Sequence, residues 1–344
     1  MSLLVLLVMV IALAGWLTAR LRRYALVRSL VDVPNARSSH QIPTPRGGGV
    51  AIVVSFLLVL PLMEWLGVMA GAMVIALWGA GAWVAIVGFV DDHRHIAARW
   101  RLLAHFLGAC WLLYWLPELP PLVLLGHVLE LGGLGYALAA LFLVWLLNLY
   151  NFMDGIDGIA SVEAITVCMG GAAIYFLLDQ PVLALAPTLL AAAVGGFLFW
   201  NFPPARIFMG DAGSGFLGLM LGGLTLHAAW VDPVLLWSWL IMLGVFVVDA
   251  TWTLLHRLLR RERVFEAHRS HAYQFAAREY ASHRVVTLSV LAINLLWLLP
   301  WAVAAALQWV DGVLALIVAY LPLMGLALRF NAGCAETVKP ECMS

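Results

Sequence analysis

Charged residues are scarce in this sequence. Asp, Glu, Lys and Arg make up 11% of its 344 residues, whereas hydrophobic residues make up 64%. Soluble globular domains have about 25% charged residues, so the composition excludes a chain built around a soluble domain. Cysteine is also rare: there are four, and none has the spacing of a zinc or redox site. The sequence has no low-complexity segment and no repeat period.

Long apolar runs dominate instead. A helix needs about 20 mostly apolar residues to cross a membrane. Runs of this length are too long for β-barrel strands and lack their alternation of apolar and polar residues. The eleven runs cover residues 2–19, 48–67, 70–90, 102–117, 131–149, 159–178, 182–200, 213–231, 235–255, 286–305 and 309–329. The sequence therefore predicts an all-α, polytopic membrane protein with about eleven transmembrane helices. We expect one transmembrane domain over residues 1–330 and a short tail over residues 331–344.

The basic residues predict the orientation of these helices. All 19 Lys and Arg residues fall in alternate connections, at residues 20–46, 94–101, 206, 257–284 and 329–339. Basic residues collect on the cytoplasmic side of a membrane, so we expect a periplasmic N-terminus and a cytoplasmic C-terminus. The first run lacks the positively charged start of a signal peptide, and we expect it to be retained as a helix.

An acidic pair ends the third run. Adjacent carboxylates such as Asp91 and Asp92 stay ionised together only in water or beside a cation. Acidic residues at a helix C-terminus are also mismatched to the helix dipole, and Arg101 is close enough in sequence to compensate. A solvated helix end and a functional pair both fit this pattern.

A more specific block follows the fifth run. Asn148, Asn151 and Asp154 are spaced three apart, on one helical face, and Asp157 follows. Polar residues at the mouth of an apolar helix are costly unless they bind something. Oxygen ligands suit a hard cation such as Mg²⁺, which usually keeps water and substrate phosphates in its shell.

A glycine-rich connection joins the seventh and eighth runs. It starts at Asn201 and contains Asp211, with Gly210, Gly213 and Gly215 around it. Glycines let the backbone approach a ligand closely, at a helix N-terminus suited to anions. The spacing matches no Walker or dinucleotide fingerprint, and Asp211 is a candidate metal ligand.

Two other cytoplasmic connections are candidates for binding phosphate. Residues 256–285 contain His268, Arg269 and His271, and Arg beside His suits a phosphate oxyanion; this connection is also predicted to contain a short interfacial helix. Residues 32–49 form a second basic loop that ends in glycines, which a simple connector would equally explain.

Three features have more than one interpretation. Asp249 and Glu163 lie inside apolar runs, where an acid is a functional candidate by default or has a structural partner. They support the alternative of a transporter, although the acids otherwise cluster at the ends of the runs and no repeated half is visible. Residues 120–133 form either a small hairpin or an irregular loop.

Taken together, these motifs resemble the polyprenyl-phosphate N-acetylhexosamine-1-phosphate transferases of the WecA/MraY type, and most closely the WbpL-like branch that initiates O-antigen synthesis. The resemblance runs from Asp32 to Tyr273. The five matching motifs are the loop from Asn35 to Gly49, the pair Asp91 and Asp92, the block from Asn151 to Gly158, the loop from Pro204 to Ser214, and the Arg269–His271 segment.

The resemblance implies an enzyme that transfers a sugar-1-phosphate from a UDP-sugar to undecaprenyl phosphate and releases UMP, with Mg²⁺ or Mn²⁺ as cofactor. The implied donors are UDP-FucNAc, UDP-QuiNAc or a related UDP-N-acetylhexosamine. The implied product serves O-antigen or another surface polysaccharide. The implied location is the bacterial inner membrane, with the active site in the cytoplasmic loops; no nucleic-acid partner is expected.

The resemblance also implies roles for individual residues. Asp211 and Asn151 would hold the metal, and Asp91, Asp92 and His271 would be catalytic. The nucleotide-sugar and its phosphates would bind Asn148, Asp154, Asp157, Arg101, Arg269 and Ser214. The chain departs from some relatives at Tyr273, where they have a second histidine, and at His268, which replaces an acidic residue.

Two mechanisms are consistent with these residues. The lipid phosphate is largely dianionic near neutral pH, so direct attack needs no strong base and is our hypothesis. A two-step route through an aspartyl-phosphate on Asp91 or Asp92 stays open. A CDP-alcohol transferase shares the aspartate and metal logic, but its motif is absent.

Overall fold

The computed structural model describes residues 3–33, 42–94, 96–116, 118–262 and 269–334. The predicted loop residues 34–41, His268 and most of the C-terminal tail lie outside the described residues. A π-helical turn covers Asn294–Leu298. The helices are α1 (Leu3–Val27), α2 (Val50–Trp65), α3 (Gly71–His93), α4 (Ala98–Trp115), α5 (Gly132–Met153), α6 (Ile159–Leu177), α7 (Leu185–Asn201), α8 (Asp211–Val231), α9 (Leu235–Met242), α10 (Gly244–Leu259), α11 (Ala272–Glu279), α12 (His283–Ile293), α13 (Leu299–Ala306) and α14 (Gly312–Arg329).

Every predicted apolar run forms a helix or a pair of helices, which confirms the all-α architecture. In the described part of the chain, seven helical segments are long and apolar enough to cross a membrane, and the bent pair α9–α10 makes up to eight. Helices α2 and α7 are apolar but shorter. The chain is a multi-pass membrane protein, whereas eleven spans and their orientation stay predictions.

The ninth run is not one continuous helix. The chain bends by 72° between α9 and α10, where Gly244 lies against α14. A Cβ at Gly244 would lie 2.9 Å from a Tyr320 ring carbon and 3.1 Å from Leu323, so a larger residue would push α14 away from the bend. Beyond the bend, α10 packs on α14 and α5.

The intramembrane acid Glu163 has a structural partner. Its Oε2 accepts a hydrogen bond from Nδ2 of Asn294 at 2.7 Å, and the same amide donates to Thr166 Oγ1 at 2.6 Å. All three side chains are buried. Glu163 therefore joins α6 to the π-helical turn, which removes one of the two features that favoured a transporter.

Four short strands in the described part of the chain form two antiparallel pairs. The strands β1 (Val31–Asp32) and β2 (Thr44–Pro45) pair at the start of the predicted basic loop and within it. The strands β3 (Leu122–Leu124) and β4 (His127–Leu129) form a hairpin, so the hairpin alternative for residues 120–133 is correct. Its two turn residues have positive φ angles of 48° and 78°, as a type I′ turn requires. Helix α11 confirms the helix predicted within residues 256–285.

Helix α8 is the most buried candidate span in the described residues, and it packs against α3 and α5 through glycines. A Cβ at Gly88 of α3 would lie 2.6 Å from the backbone of Asp211 and Ala212. A Cβ at Gly218 of α8 would lie 2.5 Å from the carbonyl oxygen of Leu146 in α5. Because these glycines have no side chains, α8 can pack closely against both α3 and α5.

Substitution of Gly88 by alanine should separate α3 from the start of α8, because neither backbone can move aside without breaking helix hydrogen bonds. Overpacking of this kind costs about 1–3 kcal/mol, enough to lower Tm measurably in detergent solution. Gly195→Ala is the matched control, since no atom lies within 4 Å of its added Cβ. Equal melting temperatures for the two variants would contradict the close approach.

Candidate active site

The start of α8 is held by a carboxylate from α3. Asp92 Oδ1 accepts the Asp211 N–H at 3.2 Å, and its Oδ2 accepts the Ala212 N–H at 3.4 Å. The first amides of a helix have no partner within the helix, so Asp92 caps α8 from outside. The Arg46 guanidinium donates to the Asp92 carbonyl oxygen. Asp92 is 6% exposed. Its buried carboxylate binds the Asp211 N–H and so fixes the position of Asp211.

The neighbouring Asp91 forms a charged group with Arg101 and Asp211. Asp91 Oδ2 accepts Arg101 Nη1 at 2.7 Å, and the same nitrogen lies 3.7 Å from Asp211 Oδ2. The second oxygen of Asp91 accepts the Ile96 N–H at 2.7 Å. The Asp91 side chain is 4% exposed and that of Asp211 is 34% exposed, so Asp211 is the more accessible carboxylate.

Asn151 reaches the same place from α5. Its Nδ2 donates to Ser214 Oγ at 3.2 Å, and Ser214 in turn donates to the Gly210 carbonyl oxygen at 3.2 Å. The Asn151 side chain also lies beside the Asp211 carboxylate. The two predicted metal ligands are 60 positions apart in the sequence, and the fold places them next to each other.

Asp154 follows the last residue of α5 and faces the other carboxylates. Burial raises the pKa of the Asp154 carboxyl, and the charges of Asp211, Asp92 and Asp157 raise it further. No hydrogen bond to the Asp154 side chain occurs among the described residues, so its oxygens are available to a ligand.

The oxygen atoms present fit a hard divalent cation. Asp211, Asn151 and Asp154 supply carboxylate and amide oxygens, the donors that Mg²⁺ takes. Within the described residues, no three His, Cys, Asp or Glu side chains come close enough to form a metal site alone. An ion here would need oxygens from Asn151 and from the substrate, as Mg²⁺ sites at phosphates commonly do.

Asn148 lies one helical turn deeper than Asn151. Its Nδ2 donates to the Val144 carbonyl oxygen at 2.7 Å, and its side chain lies beside that of His105 in α4. The buried His105 was not among the predicted site residues, although an ionisable residue in an apolar run is a functional candidate. His105 in turn lies near Arg101 and Asp91, so it connects Asn148 to the charged group at the start of α8.

Asp157 contacts α12 and the loop before α8. Its carboxylate lies 3.2 Å from His283 Nδ1 and accepts the Ala205 N–H at 3.0 Å. Its carbonyl oxygen accepts Thr287 Oγ1 at 2.8 Å. These bonds fix the loop before α8 against α12. A cavity of about 660 Å³ opens beside Asp157 and is also lined by Phe208, among others.

Asn201 holds the same loop from within. Its Nδ2 donates to the Ile207 carbonyl oxygen at 3.0 Å, and its Oδ1 accepts the Gly158 N–H at 3.0 Å. Asn201 is 2% exposed, so it shapes the loop that leads to Asp211 and does not reach a ligand.

The Arg269–His271 segment leads into α11, and His271 is the N-cap residue of that helix. His271 is 1% exposed, and its Nδ1 lies 3.3 Å from Asp249 Oδ1. Its ring stacks on that of Phe152, with centroids 6.5 Å apart. The Arg269 carbonyl oxygen accepts Arg278 at 3.3 Å. His271 therefore reaches the α5 block through Phe152, while His268 lies outside the described residues.

Substitution of Asp92 by alanine should destabilise the protein, because two backbone N–H groups at the start of α8 lose their acceptor. Loss of a helix cap costs about 0.5–2 kcal/mol. Asp92→Asn keeps one acceptor oxygen and should lose less. Thermal unfolding in detergent measures both changes, and an alanine variant as stable as the asparagine variant would show that Asp92 does not cap α8.

Comparison with known proteins identifies the family of the chain. The sequence profile of glycosyl transferase family 4 matches residues 74–229, which include most of α3, all of α5 and the start of α8. A probable undecaprenyl-phosphate N-acetylglucosaminyl 1-phosphate transferase of Bacillus subtilis (strain 168) is 30% identical over 296 residues, 82% of this chain and 79% of the relative.

Two further relatives have different names. A phospho-N-acetylmuramoyl-pentapeptide-transferase of Chlamydia muridarum is 31% identical over 252 residues, 64% of this chain and 71% of the relative. A decaprenyl-phosphate N-acetylglucosaminephosphotransferase of Mycolicibacterium smegmatis is 26% identical over 296 residues, 72% of this chain and 67% of the relative. The chain belongs to the polyprenyl-phosphate N-acetylhexosamine-1-phosphate transferases of the WecA/MraY type, within glycosyl transferase family 4.

Proposed function

We propose that this protein transfers an N-acetylated sugar-1-phosphate from a UDP-sugar to undecaprenyl phosphate, giving undecaprenyl-diphospho-sugar and UMP. The observation that carries the proposal is the meeting of Asp211, Asn151, Asp91 and Arg101 at the start of α8. Carboxylates, an amide and a guanidinium at one helix N-terminus suit two phosphorylated substrates and a divalent cation. The names of the relatives support the same reaction class.

The reaction is one phosphoryl transfer. A lipid phosphate oxygen forms a bond to the sugar-bearing phosphorus of the UDP-sugar, and the bond from that phosphorus to the oxygen bridging to UMP breaks. The electron pair leaves with UMP. Such transfers need in-line positioning and neutralisation of the charge on the phosphoryl oxygens.

A bound Mg²⁺ would act as Lewis acid and template at the diphosphate. Asp211 and Asn151 would hold it. The Asp154 carboxyl, which has no hydrogen bond among the described residues, would ionise beside the bound cation and add negative charge. Mn²⁺ has the same preference for oxygen ligands and should substitute. Arg101 bridges Asp91 and Asp211, and its guanidinium can also pair with a phosphate.

The contacts of Asp91 and Asp92 favour direct attack by the lipid phosphate. Both oxygens of Asp92 accept backbone N–H groups, and those of Asp91 accept Ile96 and Arg101. A nucleophilic carboxylate would have to leave these bonds. We therefore keep the single-step route as the hypothesis; isolation of a phosphosugar bound to either aspartate would contradict it.

We assign the nucleotide to the cavity beside Asp157. Its volume of about 660 Å³ lies in the range of small-molecule sites. Arg278 and Arg284 line it together with Phe208 and Asp157, so it offers positive charge and an aromatic side chain to a nucleotide. Asp154 and Asp157 lie on one short loop, which connects this cavity to the carboxylates at α8.

The remaining assignments follow from charge and from the motifs. The site lies at the end of the helices that bears the basic connections, so we place it on the cytoplasmic face of the bacterial inner membrane. The sugar belongs to the N-acetylhexosamine class, with UDP-FucNAc and UDP-QuiNAc as first candidates for an O-antigen initiating step.

Purified protein incubated with undecaprenyl phosphate and candidate UDP-sugars should form a lipid whose mass increases by one sugar phosphate. UMP should appear in equal amount, and added UMP should reverse the reaction. Mass spectrometry of the lipid and chromatography of the nucleotide measure both products. Release of UDP, with a lipid carrying the sugar alone, would refute the proposal.

Asp211→Asn should lower activity at least about 100-fold, because a weaker neutral ligand replaces the accessible carboxylate. EDTA should abolish wild-type activity, and Mg²⁺ should restore it. Asp179→Asn is the control. Asp179 lies in the turn after α6, at the opposite end of that helix from Asp157, and has a φ of 55°, a conformation that Asn tolerates. An inserted, stable Asp211→Asn variant with near-normal turnover would remove Asp211 as a metal ligand.

A further inference from the structure

The first turn of α11 is anchored on α10 and closed on itself. The Asp249 carboxylate, which is 6% exposed, accepts the Ala272 N–H at 2.9 Å and the Tyr273 N–H at 2.9 Å. His271 and Gln274 form a capping box, in which each side chain accepts the backbone N–H of the other residue. The acid inside the ninth apolar run thus has structural partners, and these contacts fix the backbone of Tyr273.

This first turn of α11 holds the end of α5. Tyr273 Oη donates to the Phe152 carbonyl oxygen at 2.9 Å, and the His271 ring stacks on the Phe152 ring with centroids 6.5 Å apart. The last four carbonyl groups of a helix have no partner within it, and Phe152 lies next to the last residue of α5. The Tyr273 hydroxyl therefore supplies a donor that α5 itself cannot supply.

The bonded carbonyl lies between two candidate ligands of an ion. Asn151 precedes Phe152, and Asp154, the C-cap residue of α5, follows two positions after it. Tyr273 also lies near the Asp154 carboxyl. Because Asn151 and Asp154 are both on the last turn of α5, a shift of this turn would move both side chains relative to Asp211.

The Tyr273 hydroxyl has a second close neighbour in the loop after α5. A Cβ added at Gly155 would overlap the hydroxyl oxygen and would lie 3.1 Å from Tyr273 Cζ and 3.2 Å from Gln274 Nε2. Gly155 does not have a positive φ, so the side chains of α11 exclude a larger residue there and the backbone conformation does not. Tyr273 is 4% exposed, and its hydroxyl is surrounded by the end of α5.

We propose that Tyr273 is a positioning residue for the transfer reaction: its hydroxyl fixes the last turn of α5 and thereby holds Asn151 and Asp154 where a divalent cation would bind. The inference rests on the proposed function, because it concerns the ion that this function uses. It also explains the tyrosine at a position where some relatives have a histidine. The longer side chain places a hydroxyl at the Phe152 carbonyl oxygen, and a histidine has no hydroxyl.

Tyr273→Phe removes the hydroxyl and keeps the ring. With UMP present, it should raise the dissociation constant of the purified protein for Mn²⁺ about 10-fold, the lower end for residues that support metal ligands. Electron paramagnetic resonance measures this constant without turnover, because the signal of free Mn²⁺ falls on binding. The Mg²⁺ concentration for half-maximal activity should rise by the same factor. An unchanged dissociation constant would overturn the inference.

Tyr320→Phe is the matched control. Tyr320 Oη donates to the Leu240 carbonyl oxygen at 2.6 Å, so this variant loses the same kind of bond between α14 and α9. Its dissociation constant for Mn²⁺ should stay within about twofold of the wild-type value. Equal losses of Mn²⁺ affinity in Tyr320→Phe and Tyr273→Phe would reveal a general loosening of the helices and would overturn the specific role of Tyr273.

Gly155→Ala tests the same contact from the loop, and does so even if Tyr273→Phe fails to fold. The added Cβ should push the hydroxyl away from Phe152 and weaken Mn²⁺ binding about as much as Tyr273→Phe does. In the double variant the hydroxyl is already absent, so the two losses should not multiply. Multiplying losses, or wild-type affinity in Gly155→Ala, would contradict the proposed contact.

The two proposals fail separately. Wild-type protein that forms no lipid product refutes the transfer reaction, and wild-type protein that binds no Mn²⁺ refutes both proposals. An active wild type that binds Mn²⁺, together with unchanged binding in Tyr273→Phe, refutes only the role of Tyr273.

Discussion

The contact between Asp92 and the first amides of α8 is the constraint on which the site depends. The first N–H groups of α8 have no acceptor within the helix, and the Asp92 carboxylate from α3 accepts their hydrogen bonds. Gly88, one turn earlier, allows the two backbones to come this close. The same contact therefore sets where Asp211 starts α8 and where Asp91 meets it.

The second constraint is electrostatic. Asp91, Asp92, Asp154 and Asp211 face one another, and Arg101 bridges only two of them. Two like charges 4 Å apart repel by about 4 kcal/mol at an effective dielectric constant of 20. A phosphorylated substrate would add to this repulsion, and a cation held by Asp211 and Asn151 would reduce it. The oxygen donors at the site and the proposed reaction are both consistent with such an ion.

The sequence predicted an all-α membrane protein and the side chains that meet at the start of α8, because both predictions rest on local patterns. The roles of these side chains stay predictions. Long apolar runs predict helices, and the spacing of Asn151 and Asp154 places them on one face. The sequence did not show that Asp92 caps another helix, that His283 binds Asp157 across 126 positions, or that Asp249 holds α11. Such contacts depend on packing between distant segments. The 72° bend between α9 and α10 was missed for the same reason, since Gly244 alone gives a weak signal.

The position of a divalent ion tests this account most directly. Crystals grown with Mn²⁺ and UMP can be measured at the manganese absorption edge, where the ion gives an anomalous signal. The account predicts one strong peak within about 2.0–2.3 Å of an Asp211 carboxylate oxygen and of the Asn151 amide oxygen. A peak elsewhere, or no peak at saturating Mn²⁺, would contradict it.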